Sequence, residues 1–169
     1  MVIIGIDPGA TGALAFLDTN TGVINVQDMP AILVQQGMRR VHRVSAALLA
    51  ALIDVHGGGP MMAYVEQVAS MPNQGVSSVF AFGRAAGIVE GVLAALCIPT
   101  IFIPPQTWMR GVGLAGAVKD RKEASRGKAC QLYPASAQTF ARVKDHGRAE
   151  AALIAHFGAS LLHKEARSA

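Results

Sequence analysis

The sequence predicts an α/β protein built on a mixed five-stranded sheet flanked by helices. Three observations carry that prediction. Val2 to Ile6, Ala13 to Leu17 and Val23 to Gln27 are short apolar stretches separated only by turn signals, and they read as three consecutive antiparallel strands. Two more strand-like stretches, Met61 to Val65 and Pro99 to Ile103, each follow a helical one. Neither GxxxxGK[ST] nor GxGxxG occurs, which argues against a P-loop or dinucleotide fold.

The individual elements follow from local chemistry. Val2 to Ile6 is apolar throughout, as a buried strand requires, and Asp7 arrives where it ends. Pro8-Gly9 and Thr11-Gly12 turn the chain into the second strand, and the cluster Asp18 to Gly22 turns it into the third. Met29-Pro30 breaks that strand, and residues 31–41, which have no clean period, are expected to form a loop or a short extra strand. Val44 to Val55 has helical spacing and stops at Gly57-Gly58-Gly59-Pro60. Met61 to Val65 is the fourth strand, closed by Glu66, and residues 68–75 form a loop.

Val76 to Cys97 reads as a long apolar helix. Its glycines Gly83, Gly87 and Gly91, four apart, line one face, which suits close packing on the sheet or on a partner helix. Pro99 to Ile103 is the last strand, ended by Pro104-Pro105. Gln106 to Val112 is a short helix holding Trp108, Gly111 to Gly116 a connector, Lys119 to Tyr133 a basic helix, and Gly147 to Leu162 the final apolar helix. One domain over residues 1–163 is expected, with residues 164–169 as a frayed tail.

A chain of 169 residues can bury a sizeable core without staples. No apolar run is expected to span a membrane, since Gly, Pro, Ser or a charge interrupts each one. Asp7 comes too early for a secretory leader. Cys97 and Cys130 form no CxxC pattern and suit reduced thiols in a cytoplasmic protein. The formal net charge of +4 is unevenly spread. Nine of the fifteen basic residues fall between Arg110 and Arg148, opposed there only by Asp120, Glu123 and Asp145. Arg39, Arg40 and Arg43 form a smaller cluster. Concentrated positive charge points to a polyanionic partner.

The acidic residues carry the chemistry. A carboxylate at the end of a buried strand is costly unless it meets cations, donors or solvent, and Asp7 and Glu66 both stand there. Glu150 lies inside the apolar run of KDHGRAEAALIA. His146, four residues earlier, falls about 40° from it on a helix. Asp145 is about 140° away if helical, but can fold back if it precedes the first turn. Gathered in one crevice, Asp7, Glu66, Glu150 and either Asp145 or His146 would repel one another unless bridged by cations. Hard oxygen ligands favour Mg²⁺ or Mn²⁺. Two such ions beside a basic groove are what phosphodiester hydrolysis needs.

The motifs GIDPGATGALAF, VEQVASMPNQGVSSVFAFGRAAGIVEGVLAAL, IPTIFIPPQTW, a basic helix and DHGRAEAALIA occur in that order. Together, from about Val2 to Phe157, they resemble the RuvC family of Holliday-junction resolvases, in particular its phage-type and prophage-type branch. The resemblance implies an RNase H-like fold, a homodimer and Mg²⁺- or Mn²⁺-dependent symmetric nicking of four-way junctions or other branched DNA. It implies catalytic and metal-binding roles for Asp7, Glu66 and Glu150. The family's third ligand often stands three residues before the last, and Gly147 occupies that position here, leaving Asp145 and His146 as the nearest candidates. Where the family commonly carries an aromatic wedge after the second carboxylate, this chain has Ala69 and Met71, with Met71 as a softer wedge. Lys119, Arg121, Lys122, Arg126 and Lys128, with Arg84 on the long helix, are the candidate DNA contacts. Such phosphate contacts fix position rather than sequence.

Other readings are an RNase H-like nuclease acting on RNA and a non-catalytic DNA-binding module. GIDPGATG also resembles the first phosphate loop of actin-like and sugar-kinase ATPases. Those enclose ATP between two such domains, for which 169 residues leave no room.

Overall fold

The computed structural model of the protein describes residues 1–67, 75–115 and 120–168, with side chains as far as Lys164. Its five-stranded sheet consists of β1 (Val2–Asp7), β2 (Ala13–Asp18), β3 (Ile24–Asp28), β6 (Met61–Glu66) and β7 (Thr100–Ile103), in the order β3-β2-β1-β6-β7. The first three strands are antiparallel neighbours, and β6 and β7 add in parallel. This is the mixed sheet that the strand and helix order predicts.

Residues 31–41 resolve the open alternative. Strands β4 (Ala31–Gln36) and β5 (Arg39–Val44) form a separate antiparallel hairpin. Gly37, at φ 60°, takes the left-handed conformation its turn needs.

The helices form a layer on each face. Strand alternation sends Ile4 and Ile6 into one core, shared with Leu49 and Ile53 of α1 (Ala46–His56) and Val89 and Leu93 of α2 (Val76–Ala95). It sends Ile3 into the other, shared with Trp108 of α3 (Pro105–Gly111), Ala129 of α4 (Arg121–Leu132) and the apolar face of α5 (His146–Ser168). Ser45 caps α1 and Asp120 caps α4, each side chain accepting an N–H of the first turn. Short 3₁₀ segments, Pro134–Phe140 and Val143–Asp145, join α4 to α5 where no element was expected. Helix α5 continues to Ser168, beyond the Leu162 end read from the sequence.

By length and composition α2 could cross a membrane, which corrects the expectation that no run reaches that length. Its glycines also differ from one of the alternatives. Added Cβ atoms at Gly83, Gly87 and Gly91 would meet nothing within 4 Å, so that ridge faces away from the sheet.

What sets the depth of α5 is Gly5. A Cβ there would overlap the backbone of Ala151 and Ala155, so only glycine lets helix and strand backbones come this close. Ala149, Ala151, Ala152 and Ala155 are fully buried along the contact. Gly158 repeats the arrangement one turn further on, against the ring of Tyr64. Overpacking a rigid backbone contact costs about 1–3 kcal/mol and occasionally more, and here both partners are main chain. Gly5→Ala is therefore expected to cost about 3 kcal/mol, read as a lower urea midpoint at unchanged m value; an unmoved midpoint would show that α5 can back away freely.

Candidate active site

The parallel register pairs Gly5 with Tyr64 and Ile6 with Val65. The next step along both strands brings Asp7 beside Glu66, each on the side of its strand that faces α5. Helix α5 crosses the same end of the sheet. At Gly147, on its first turn, an added Cβ would stand 3.1 Å from Asp7 Oδ2 and 3.0 Å from Thr11 O. Glu150, one turn later, is buried.

Asp7, Glu66 and Glu150 act electrostatically as one group. Burial, followed by the charge of Glu66, pushes the Asp7 carboxyl up to about 6, against the opposing pull of the Gly9 N–H, Arg121 and Lys122. Burial pushes Glu150 up to about 7; Arg121 pulls it down, while Asp7 and Glu66 raise it further. Gly9 N–H donates to Asp7 Oδ1 at 3.3 Å.

A cation already bridges two of the three. Arg121, at the start of α4, donates from Nη2 to Glu66 Oε1 at 3.1 Å, and its Nε lies 3.3 Å from Glu150 Oε1. The Nε contact is charge without a hydrogen bond, since that buried N–H has no partner of good geometry among the described residues. Trp108 orders the same corner. Its Nε1–H donates to Glu66 Oε1 at 3.1 Å, and the Arg121 guanidinium carbon lies 5.6 Å from its ring centroid.

The two candidates for a further ligand lie elsewhere. Asp145 directly precedes α5 and folds back, as its position allows, but onto arginines. Arg142 holds it through the backbone N–H at 2.9 Å and the guanidinium at 2.8 Å, and Arg148 Nη1 lies 3.8 Å away. The hydrogen bonds from Arg142 hold its pKa below the ordinary value. Arg148 in turn grips Asp28 on β3 with two bonds of 2.6 Å. His146 Nδ1 is 3.4 Å from Val143 O. Neither Asp145 nor His146 makes a hydrogen bond or ion pair with Asp7, Glu66 or Glu150, so the expectation that one of them joins the group is not met in this structure.

The candidate DNA contacts divide similarly. Arg121 faces inward to the carboxylates and not outward to phosphate. Lys122 is exposed and close enough to bias both Asp7 and Glu150. Arg126 donates to Ala141 O at 3.1 Å, tying α4 to the segment before α5. Lys128 acts on His156, two turns further along α4 than Arg121. Arg84 lines a cavity that also contains Asp7. Met71, Lys119 and Ala69 lie outside the described residues. Trp108 had no assigned role in the sequence reading, and its only signal was a lone tryptophan following Pro104-Pro105.

The donor set fits a hard divalent cation, because three carboxylates with two raised pKa values are short of positive charge. Arg121 supplies part of it to two of them, Glu66 and Glu150. Among the described residues no three His, Cys, Asp or Glu groups stand close enough to hold an ion without moving.

No protein-family model matches the chain. Among solved structures it is similar to RuvC of T. thermophilus in complex with a Holliday junction substrate, with a TM-score of 0.61 over 95% of this chain and 96% of that one, at 14% identity. A second Thermus thermophilus RuvC structure superposes over the same shares with a TM-score of 0.56 at 17% identity. The fold is that of RuvC. A curated relative, the chloroplastic Holliday junction resolvase MOC1 of Chlamydomonas reinhardtii, is 32% identical over 114 residues. That stretch is 66% of this chain but only 13% of the relative, so the chain spans a small part of the protein it matches. The mixed sheet and two helix layers thus agree with the RNase H-like architecture expected of the RuvC fold.

The raised pKa values set a pH dependence. A carboxyl that binds its proton more tightly when folded adds stability at low pH. That contribution is present below the ordinary carboxyl range and is lost as pH rises through about 6 for Asp7 and about 7 for Glu150. Melting in EDTA should therefore show wild-type protein losing stability between pH 5 and 8. Asp7→Asn should lose less, by on the order of 1–3 kcal/mol. Equal losses in the two proteins would mean that Asp7 titrates normally.

Proposed function

We propose that this protein is a metal-dependent, structure-selective endonuclease that resolves Holliday junctions or related branched DNA by paired nicks. The observation that carries the reading is that Asp7 and Glu66 end neighbouring parallel strands of a RuvC-fold sheet, with Glu150 joined to Glu66 through Arg121. The named activity of the curated relative points the same way.

Asp7, Glu66 and Glu150 are the residues we assign to holding Mg²⁺ or Mn²⁺, two ions per site. Such ions, when bound, supply the positive charge that makes water a competent nucleophile toward a phosphodiester near neutral pH. The chain's own groups do the positioning. Trp108 and Arg121 hold the same oxygen of Glu66, Oε1, which fixes the orientation of that carboxylate. Gly147 keeps α5 tight against Asp7, where a longer side chain would have to displace the loop at Thr11. Lys122, exposed at the rim, can neutralise a phosphate beside the carboxylates. Asp145 and His146 remain candidates for a further ligand only through a rearrangement that releases Arg142 or turns the His146 ring inward.

A homodimer belongs to the same reading, since two symmetric nicks call for two sites. The outward ridge of Gly83, Gly87 and Gly91 on α2 supports it, being a surface where a second helix can approach closely. A cytoplasmic setting fits Cys97 and Cys130 as free thiols.

The test is a synthetic four-way junction incubated with Mg²⁺ or Mn²⁺, beside linear duplex, flap and RNA–DNA hybrid. Symmetry-related nicks in the junction are expected, with rates at least 100-fold lower in Asp7→Asn, Glu66→Gln and Glu150→Gln while junction binding persists. Preferential cutting of the hybrid would move the assignment to an RNase H-type activity, and unimpaired cutting by Asp7→Asn would remove the carboxylates from it.

A further inference from the structure

The mechanism leaves one charged feature unused, the hairpin β4–β5. Residues directly opposite in an antiparallel pair share a face. Gln36 with Arg39, Val34 with Val41 and Ile32 with Arg43 therefore project to one side. From that side Gln36, Arg39, Val41 and Arg43 line a cavity of about 720 Å³, and His42 reaches it from the other. Residues of the first turns of α2 line it as well, together with Asp7 and Thr11 from the loop after β1.

The charge in this cavity is one-sided. Arg39, Arg43 and Arg84 line it, and Asp7 is its only acidic residue among the described residues. None of the three arginines has a carboxylate partner among the described residues, and Arg43 has only a 3.1 Å hydrogen bond to Gln36. The α2 wall adds donors. Ser77 and Ser78 line the cavity, and α2 starts at Gly75 without a side-chain cap. No residue of α4 lines the cavity, which sets it apart from the basic helix on the other side of Asp7.

Guanidiniums without carboxylate partners and hydroxyls, lining one cavity together with Asp7, match a polyanion whose charges recur along its length. We propose that the hairpin β4–β5 and the N-terminal half of α2 form a second DNA-backbone groove, in which Arg39, Arg43 and Arg84 neutralise phosphates of the strand leading to Asp7. This rests on the reading of Asp7, Glu66 and Glu150 as a DNA-cleaving centre, and it assigns the approach of the strand to the hairpin rather than to α4 alone.

The hairpin arginines are on the surface, so Arg39→Ala/Arg43→Ala can be made together, with circular dichroism melting to verify an unchanged fold. Binding of the full chain to a fluorescent four-way junction is measured in EDTA from 50 to 200 mM salt, where no cutting interferes. Loss of two phosphate contacts should reduce the slope of log K against log salt by about 1.4–1.8 and weaken binding at least tenfold at 50 mM. Arg39→Lys/Arg43→Lys should restore most of the slope. A wild-type slope in the alanine variant would overturn the groove even if the wild-type enzyme nicks junctions normally. Wild-type protein that never nicks a junction, yet shows the predicted change in slope, would overturn the proposed activity and leave the groove standing.

Discussion

The close seating of α5 on β1 is the constraint from which the rest of the candidate site follows. At Gly5 the two backbones meet without an intervening side chain, and buried alanines continue the contact along the helix. Because α5 is rigid over this length, fixing it at Gly5 also fixes Gly147 and Glu150 at the end of the strand where Asp7 emerges. A bulkier residue at position 5 would raise the helix and carry Glu150 away from Asp7. The site geometry is therefore a by-product of a packing decision made in the core, where Gly5 meets Ala151 and Ala155 just beyond Glu150.

Three carboxylates brought together this way are unstable neighbours, and the structure offsets their repulsion with Arg121. The guanidinium spans Glu66 and Glu150 and lies near the face of Trp108, while its Nε finds no hydrogen bond of good geometry. Half-exposed ion pairs of this kind contribute little net stability. Their importance here is positional, because one arginine holds Glu66 and Glu150 at a common guanidinium. Asp145, by contrast, has a complete set of partners in Arg142 and Arg148, and its depressed pKa reflects that satisfaction. Carboxylates in adjacent turns thus follow opposite electrostatic logic.

The parts of the fold that were legible in the sequence are those governed by local periodicity. The apolar stretches at Val2 and Met61, each closed by an acid, identified two strand ends, and the parallel register of β1 and β6 made them neighbours. The hairpin over residues 31–44 was only half legible, because its strands carry Arg and Gln on largely exposed faces and lack the apolar alternation of a buried strand. The α2 glycines were legible as a ridge, but not its direction, since helical spacing says which residues share a face and nothing about what that face meets.

The amino-acid order by itself determined that Asp7 and Glu66 end buried strands and that Glu150 belongs to the buried side of its helix. Each of those facts follows from the period of one element. Tertiary structure alone decided that Asp145 turns to Arg142, that Arg121 pairs with Glu66 and Glu150, and that Arg39, Arg43 and Arg84 share one cavity. These pairings join residues dozens of positions apart, and only the stacking of helices on the sheet sets the distances on which charge interactions depend.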